Sequence, residues 1–286
     1  MASRFTKEEV VARLRAERKA GRAIYDALCG SGITAKFAAR GGADLVTTFN
    51  LAYYRMQGLS SMAGYLPIGD ANALTLELGE RSILNVLNEC PVVAGVLGVD
   101  PTRDMSRFLD RLQEAGFDGV MNCPTIALID GAFRRTLEET GMSYAKEIEV
   151  LGEASRKGMF TKAFCTTPKE AVAMAEAGVD NIIVHFGNSS GGSVGSKSVV
   201  GLEEAAQRAA AVCDALSPLA ARNGDLIVTC HGAFLESPSD FEALLAREGR
   251  LDGYVGGSSA ERFPIEKAVP EATKAFKAVR LRRKVA

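Results

Sequence analysis

A short pattern that recurs along the chain constrains its fold more than any other feature. A glycine, followed one or two residues later by an aspartate, precedes an apolar run at residues 42–46, 116–120, 178–184 and 224–228. Glycine can adopt the left-handed conformation that ends a helix, and a short apolar run is typical of a buried parallel strand. Since an amphipathic or alanine-rich stretch precedes each glycine, the sequence predicts successive βα units around a parallel sheet.

Eight strands are predicted, and their number points to the architecture. They lie at residues 23–28, 45–49, 92–96, 119–121, 160–164, 181–185, 226–229 and 253–255. Eight units in 286 residues, without a break in composition, favour a single α/β domain that closes as a (β/α)8 TIM barrel. An open doubly wound sheet is the alternative that the pattern leaves open.

The same pattern assigns the helices and the ends of the chain. Helices are predicted at residues 103–115, 168–177, 202–216 and 239–247, with Thr102 as a cap and Pro168 in a first turn. Residues 1–22 are predicted as an N-terminal helix that caps the bottom of the barrel, residues 23–268 as the barrel and residues 269–286 as a C-terminal helix. The segment 50–72 is rich in glycine and serine and is predicted as a long loop, either a lid or a contact with a neighbouring subunit.

The charge, the apolar runs and the cysteines argue against several classes of protein. The net charge of −1 provides no field to attract nucleic acid or an anionic membrane, and no apolar run is long enough to cross a bilayer. The first residues have a helical pattern and do not resemble a signal peptide. The six cysteines form no C-x-x-C pair, so reduced thiols and a cytoplasmic location are expected.

Polar residues follow the predicted strands, and in a barrel the reacting groups come from the carboxyl ends of the strands. Both histidines of the chain, His185 and His231, end strands six and seven, which are neighbours. We expect their side chains to converge and at least one of them to transfer a proton or bind a ligand. Asn122, at the end of strand four, and Asp100, after strand three, are further catalytic candidates.

Three glycine-rich turns are candidates for holding an anion through backbone N–H groups. The first, residues 30–35, is a weak match to a dinucleotide fingerprint, and no acidic residue ends strand two, so no nucleotide cofactor is expected. The second, residues 191–198, is close to a Walker A loop but has Ser196 before the lysine. The third, residues 256–259, follows strand eight, where barrels often bind phosphate. The predicted anion-binding residues in the last two turns and after strand seven are Gly191, Gly192, Ser193, Gly232, Gly257, Ser258 and Ser259.

Metal ligands are less evident in the sequence. Asp70, Glu77 and Asp100 are the carboxylates that could reach the mouth of the barrel, but they form no dense cluster, and surface or capping roles are the preferred interpretation. The cysteines at 29, 123, 165 and 230 also lie at strand ends, where they could line a site or simply be small buried residues.

Several segments together resemble the phosphoenolpyruvate hydrolase-like family of TIM barrels, over residues 23–268. The segments are 66–72 (LPIGDAN), 122–125 (NCPT), 128–131 (LIDG), 137–142 (LEETGM), 191–197 and 230–232 (CHG). A domain that is similar to this family forms the C-terminal part of a plant tomato-mosaic-virus resistance protein. The resemblance implies membership of the phosphoenolpyruvate/pyruvate superfamily, whose members act on the C–C or C–P bond of 2-oxo acids, usually with Mg²⁺, and are commonly oligomeric.

The resemblance also adds residues and reveals differences. The turn after strand one, with Gly32 and Ile33, is similar to the substrate-binding turn of phosphoenolpyruvate mutases. Those mutases have an acidic cluster after strand three and a Glu-Asp-Lys signature after strand four, whereas this chain has Asp100 and then Asn122-Cys123-Pro124. Asp100 is therefore the one candidate ligand for Mg²⁺.

Three hypotheses follow. The first is a hydrolase or lyase that acts on a small phosphorylated or phosphonylated 2-oxo acid, as a homo-oligomer. The second is a barrel without catalysis that senses a small ligand or binds a protein. The third, a nicotinamide enzyme, depends on the turn at residues 30–35 and is disfavoured.

Overall fold

The structure, a computed structural model that describes residues 4–223 and 226–281, contains a closed barrel of eight parallel strands in the order β1 to β8. The strands are Ile24–Leu28 (β1), Leu45–Thr48 (β2), Val92–Val96 (β3), Gly119–Asn122 (β4), Phe160–Cys165 (β5), Asn181–His185 (β6), Ile227–His231 (β7) and Gly253–Gly256 (β8). Each predicted strand overlaps an observed one. Pairing of β1 with β8 closes the sheet, which confirms the TIM barrel and excludes the open sheet.

Eleven α-helices lie among the described residues. They are Lys7–Lys19 (α1), Gly32–Arg40 (α2), Asn50–Met56 (α3), Ala71–Leu78 (α4), Met105–Ala115 (α5), Gly131–Glu139 (α6), Tyr144–Arg156 (α7), Pro168–Glu176 (α8), Leu202–Asn223 (α9), Pro238–Leu245 (α10) and Arg262–Lys277 (α11). Short 3₁₀ or π turns occur at Ser61–Tyr65, Gly79–Ile83 and Ile126–Leu128.

The N-terminal helix closes the bottom of the barrel. Thr6 and Glu9 form a reciprocal capping box that starts α1. Val10 and Leu14 are fully buried and belong to the same apolar cluster as Ile24, Phe160 and other residues of the barrel interior. This burial agrees with the predicted capping role of the helix.

A polar layer crosses the middle of the barrel. Lys162 on β5 forms an ion pair with Asp26 on β1 and donates a hydrogen bond to Thr47 Oγ1 at 2.6 Å. Burial lowers the pKa of Lys162, while the carboxylate of Asp26 acts in the opposite direction. A buried ion pair of this kind compensates its own desolvation only when the geometry is good. This pair connects β1 with β5, which lie on opposite sides of the closed barrel.

The C-terminal helix α11 leaves the body of the barrel. Every residue from 267 to 281 is exposed, including apolar side chains. Val269 is 57% exposed and Phe276 is 81% exposed, and the two lie on one side of the helix because seven residues separate them. Helices in proteins gain most of their stability by packing an apolar face against other elements, and this exposed apolar stripe of α11 has no such contact in the described residues.

Several predicted boundaries require correction. Asp104, not Thr102, caps α5, since its side chain accepts the N–H of Arg107. The segment 50–72 is not a continuous loop, because it contains α3 and a 3₁₀ turn. The C-terminal helix begins at Arg262 rather than at residue 269, and residues 282–286 of the prediction lie outside the described residues.

Candidate functional site

A pocket with a volume of about 230 Å³ opens at the carboxyl end of the barrel strands. Its floor is formed by side chains at the ends of β5, β6 and β7, and its walls come from the segments that follow β2, β6 and β8. Polar and charged side chains in the lining include those of His185, His231, Arg55, Ser258 and Arg262. This is the end of the barrel where TIM-barrel enzymes carry their active sites.

The two histidines meet on the floor of the pocket, as predicted. His185 and His231 are register partners on β6 and β7, and their ring centroids are 5.0 Å apart. Phe164 supports both, with its ring centroid 4.6 Å from that of His185 and 5.1 Å from that of His231. The two imidazoles are therefore fixed in adjacent positions by packing and by the strand register.

Backbone hydrogen bonds assign opposite roles to the two imidazoles. Nδ1 of His185 accepts the N–H of Gly187 at 2.9 Å, so in the neutral ring the proton is on Nε2. Nδ1 of His231 lies 2.6 Å from the carbonyl oxygen of Val255, which can only accept, so the proton is on Nδ1 and Nε2 is unprotonated. One ring thus offers a donor and the other an acceptor.

Both imidazoles are neutral at neutral pH. Burial, followed by the neighbouring His231, lowers the pKa of His185 well below 6.5. Burial also lowers the pKa of His231, to about 4, with a further contribution from Arg55 and an opposite one from the Val255 carbonyl. A neutral pair with one donor and one acceptor can move a proton between a ligand and a water molecule.

A buried ion pair forms one wall of the pocket. The guanidinium of Arg55, on α3, donates from Nε and Nη2 to the same oxygen of Glu261, at 3.0 and 2.6 Å, and from Nη2 to the Leu28 carbonyl at 2.5 Å. The other oxygen of Glu261 accepts the N–H of Gly30 at 2.7 Å and the hydroxyl of Thr34. Arg55 is therefore held rigidly, with its position fixed from α2, α3 and the segment after β8.

A second arginine holds the loop after β6 against the pocket. Arg262 donates to the carbonyl of Gly191 at 2.9 Å and to Glu266 at 3.1 Å. The same carboxylate of Glu266 accepts both the backbone N–H and the hydroxyl of Ser193. The glycine-rich turn predicted to bind an external anion thus binds the protein's own carboxylate.

The predicted anion-binding residues fall into separate groups. Gly257 and Ser258 line the pocket, whereas the hydroxyl of Ser259 lies 3.2 Å from that of Tyr254. Gly232 forms a tight turn with a φ of 94° against Gly187. The structure places Gly32 and Ile33 at the start of α2, where Gly32 N–H donates to Ser82 and Ile33 is largely exposed, outside this pocket.

Asn122 lies behind the pocket wall and clamps neighbouring strands. Its amide accepts the N–H of Phe164 at 2.7 Å and donates to the carbonyl of the same residue at 3.1 Å. It also donates to Glu147 on α7 at 2.7 Å. Glu147 additionally accepts from Thr125 and Ile126, and burial raises its pKa to about 7 despite these hydrogen bonds. Asn122 therefore positions the segment after β4, which contains Cys123.

The carboxylates do not provide a fitting site for Mg²⁺. Among residues 4–223 and 226–281, no group of three or more His, Cys, Asp or Glu side chains is arranged to hold a metal ion. Asp100 and Asp70 both form ion pairs with Arg103, each at 2.5 Å, and Asp100 also accepts from Asn72 and Thr102. Burial acts to raise the pKa of Asp100, but these hydrogen bonds outweigh it and lower the pKa to about 2. The group that bridges the two carboxylates is the guanidinium of Arg103, which occupies the oxygens that a metal ion would need.

The strand-end cysteines behave as small buried residues. Cys29, Cys123, Cys165 and Cys230 are all buried and free, and burial raises the pKa of each thiol. Cys123 reaches the pocket, but a thiol with a raised pKa is a poor nucleophile at neutral pH.

Arg55, Glu261 and Arg262 were not predicted from the sequence. Arg55 lies in α3, within a segment interpreted as a loop, and Glu261-Arg262 directly follow the glycine-rich turn after β8. Charged residues a few positions beyond a strand end were the available signal, since helices that begin at the mouth of the barrel keep their first turns near the pocket.

Comparison with known proteins assigns the chain to a family. The sequence profile of the "Phosphoenolpyruvate hydrolase-like" family matches residues 9–279. The chain belongs to this family. The match covers all eight strands and every residue of the pocket described above.

Two tomato (Solanum lycopersicum) proteins are similar over almost the whole chain. They are the ToMV susceptible protein tm-1(GCR26) and the ToMV resistance protein Tm-1(GCR237), each 42% identical over 270 residues. The match covers 94% of this chain and 35% of each tomato protein, so this chain spans about a third of the length of these relatives.

Several solved structures have a similar fold. A phosphonopyruvate hydrolase in complex with oxalate and Mg²⁺ matches with a TM-score of 0.60 at 16% identity, covering 96% of this chain and 87% of that one. A 2,3-dimethylmalate lyase matches with a TM-score of 0.60 at 16% identity, covering 99% and 92%. An oxaloacetate acetylhydrolase matches with a TM-score of 0.59 at 13% identity, covering 96% and 89%. None of the helices in the described part of the chain is long and apolar enough to cross a membrane.

Proposed function

We propose that the chain is an enzyme that hydrolyses the C–P or P–O bond of a small phosphonylated or phosphorylated 2-oxo acid. The single observation that carries the proposal is the pairing of His185 and His231, with opposite Nε2 roles, on the floor of a pocket that also contains Arg55 and Arg262. The pocket of about 230 Å³ suits a molecule of this size, and the superfamily fold supports the substrate class.

The proposed step for phosphonopyruvate conserves atoms and electrons. His231 Nε2 takes a proton from water as the water oxygen bonds to phosphorus. The C–P bond breaks, and its electron pair moves to the methylene carbon, where the adjacent oxo group accepts it as an enolate. The imidazolium of His231 then gives the proton to the methylene carbon, which completes the methyl group and returns His231 to its neutral form. Nε2–H of His185 donates a hydrogen bond to the enolate oxygen and keeps its proton throughout. The products are pyruvate and inorganic phosphate.

The arginines would stabilise the charge that develops in this step. A fixed guanidinium in a site shielded from water stabilises an oxyanion more than the same group does in water, because it needs no reorganisation. The rigid hydrogen bonds of Arg55 to Glu261 and Leu28 meet this requirement.

A direct assay tests the proposal. The purified protein is incubated with phosphonopyruvate and, separately, phosphoenolpyruvate, with Mg²⁺ and with excess EDTA, and pyruvate and phosphate are quantified. We expect equal amounts of both products from at least one substrate. If neither product rises above background at high protein concentration in either buffer, the proposed hydrolysis is wrong.

A second candidate function is a barrel that senses a small ligand or binds a protein without catalysis. The exposed apolar stripe of α11 favours this alternative, and so does the fact that the tomato relatives carry the same barrel within a protein about three times as long. Tight binding of a 2-oxo acid without any turnover would favour it over the enzyme.

Self-association is also proposed, as is the cytoplasmic location expected from the cysteines. Burying the α11 stripe against another copy of the chain would remove Val269 and Phe276 from water. All six cysteines are free thiols, as expected in a reducing compartment.

A further inference from the structure

Two arginine side chains, Arg55 and Arg262, line this pocket. The solved phosphonopyruvate hydrolase complex contains oxalate and Mg²⁺. In this chain the acidic side chains beside the pocket, Glu261 and Glu266, are already paired with Arg55 and Arg262. The positive charge that faces the pocket is thus built into the protein.

Arg55 has the geometry of a preorganised anion-binding group. Its side chain is 4% exposed, and Nε and Nη2 make the hydrogen bonds that fix it. Nη1 is on the side of Gly257, since a Cβ built on Gly257 would lie 3.5 Å from Nη1 and 3.2 Å from Cε1 of His231. Gly257 therefore leaves open a space between the guanidinium and the imidazole.

That space is adjacent to the acceptor nitrogen of His231, which is bonded to Cε1. A carboxylate or enolate oxygen placed there would accept a charge-assisted hydrogen bond from Nη1, and the reacting end of the molecule would lie over the two imidazoles. Ser258, which is also in the pocket wall, follows directly in the chain.

We infer that Arg55, held by Glu261, binds the carboxylate–oxo end of the substrate directly, so that ligand binding at this site does not require Mg²⁺. The inference rests on the proposed function, because it names the group that recognises the same substrate. Arg262, whose guanidinium is shared with Glu266 and the Gly191 carbonyl, holds the loop after β6, which lines the pocket.

The role of Gly257 follows from the same geometry. A methyl group at this position would occupy the space between Arg55 and His231, in contact with Nη1 of Arg55, which is not one of the two nitrogens that pair with Glu261. Its backbone φ lies outside the left-handed region, so alanine introduces no backbone strain there. Gly257→Ala therefore blocks the binding position and leaves the buried ion pair intact.

The experiment measures oxalate binding by titration calorimetry, in excess EDTA and in excess Mg²⁺, because oxalate resembles the enolate of pyruvate in size and charge. We compare the wild type with Arg55→Lys, Gly257→Ala and the control Arg81→Lys, an exposed arginine paired with Glu77. Thermal unfolding of each variant reports whether it is folded.

The expected result is an affinity that is the same in both buffers and about 10-fold or more weaker in Arg55→Lys and Gly257→Ala, with Arg81→Lys unchanged. Should Arg55→Lys fail to fold, Gly257→Ala alone decides. Binding that requires Mg²⁺, or wild-type affinity in folded Gly257→Ala, would overturn the inference while the proposed hydrolysis could still stand. Absence of oxalate binding in both buffers overturns the inference, and the product-release assay then decides separately whether the proposed hydrolysis also falls.

Discussion

The carboxyl group of Glu147 makes a sharp prediction about stability and pH. Burial raises its pKa from 4.5 to about 7, so the folded chain holds this proton more tightly than the unfolded chain does. The stabilisation from Glu147 is therefore fully present below pH 4.5 and is lost as the pH rises through about 7. A shift of 2.5 units at 1.36 kcal/mol per unit gives a loss of about 3 kcal/mol in the free energy of unfolding across this range.

Glu147→Gln isolates this contribution, because glutamine keeps the shape and does not ionise. The free energy of unfolding of both proteins is measured in urea between pH 4.5 and 8. Since the chain contains no tryptophan, far-UV circular dichroism is the suitable signal. We expect the difference between wild type and variant to decrease by about 3 kcal/mol toward high pH.

Other buried groups also titrate in this pH range. Their contributions to the free energy of unfolding are the same in both proteins and cancel when one free energy is subtracted from the other. His231 acts with the opposite sign, since its pKa is lowered to about 4, so its stabilisation is lost as the pH falls from 6.5 toward 4. It is present in both proteins and cancels. A difference that stays constant with pH would refute the reasoning, because it would mean that Glu147 titrates at its ordinary pKa in the fold.

Three further predictions follow from the site and the surface. His231→Asn should lower turnover by about 100-fold or more, measured by steady-state kinetics, because the variant lacks the proposed base. Oxalate binding, measured by calorimetry, should persist. Unchanged turnover would show that His231 is not the base. Asp100→Asn should cost about 1 to 3 kcal/mol in urea unfolding, because it weakens the hydrogen bonds of a partly buried carboxylate. Oxalate affinity should stay the same with and without Mg²⁺ in this variant. Mg²⁺-dependent binding that is present in the wild type and lost in Asp100→Asn would restore Asp100 as a metal ligand. Replacing Val269 and Phe276 together by glutamate should shift an oligomer to a smaller species in light scattering, and an unchanged mass would exclude α11 as the interface.

The barrel could be predicted from the sequence because its signals are local. A glycine at a helix end followed by a buried strand repeats, and each repeat is one βα unit. Neighbouring strands in the chain are neighbours in a barrel, so the meeting of His185 and His231 followed from their places at the ends of β6 and β7.

The pocket was harder to predict, because its lining depends on the direction of each side chain and on contacts between residues that are far apart in the chain. Successive residues of a barrel strand face the interior and the exterior in turn. Because Met121 faces the barrel interior, Asn122 faces outward, toward Glu147. The partner of the turn at Gly192 and Ser193 is Glu266, which lies more than 70 residues away in the chain. No local sequence pattern predicts such a pairing, and none predicts the exposure of α11.

The most direct test of the central claim is a crystal structure of the protein with bound oxalate. The account predicts oxalate in the pocket at the carboxyl end of the barrel, with an oxygen within hydrogen-bond distance of Arg55 Nη1 and close to His231 Nε2. Oxalate bound elsewhere, or bound through a metal ion on Asp100, would contradict it.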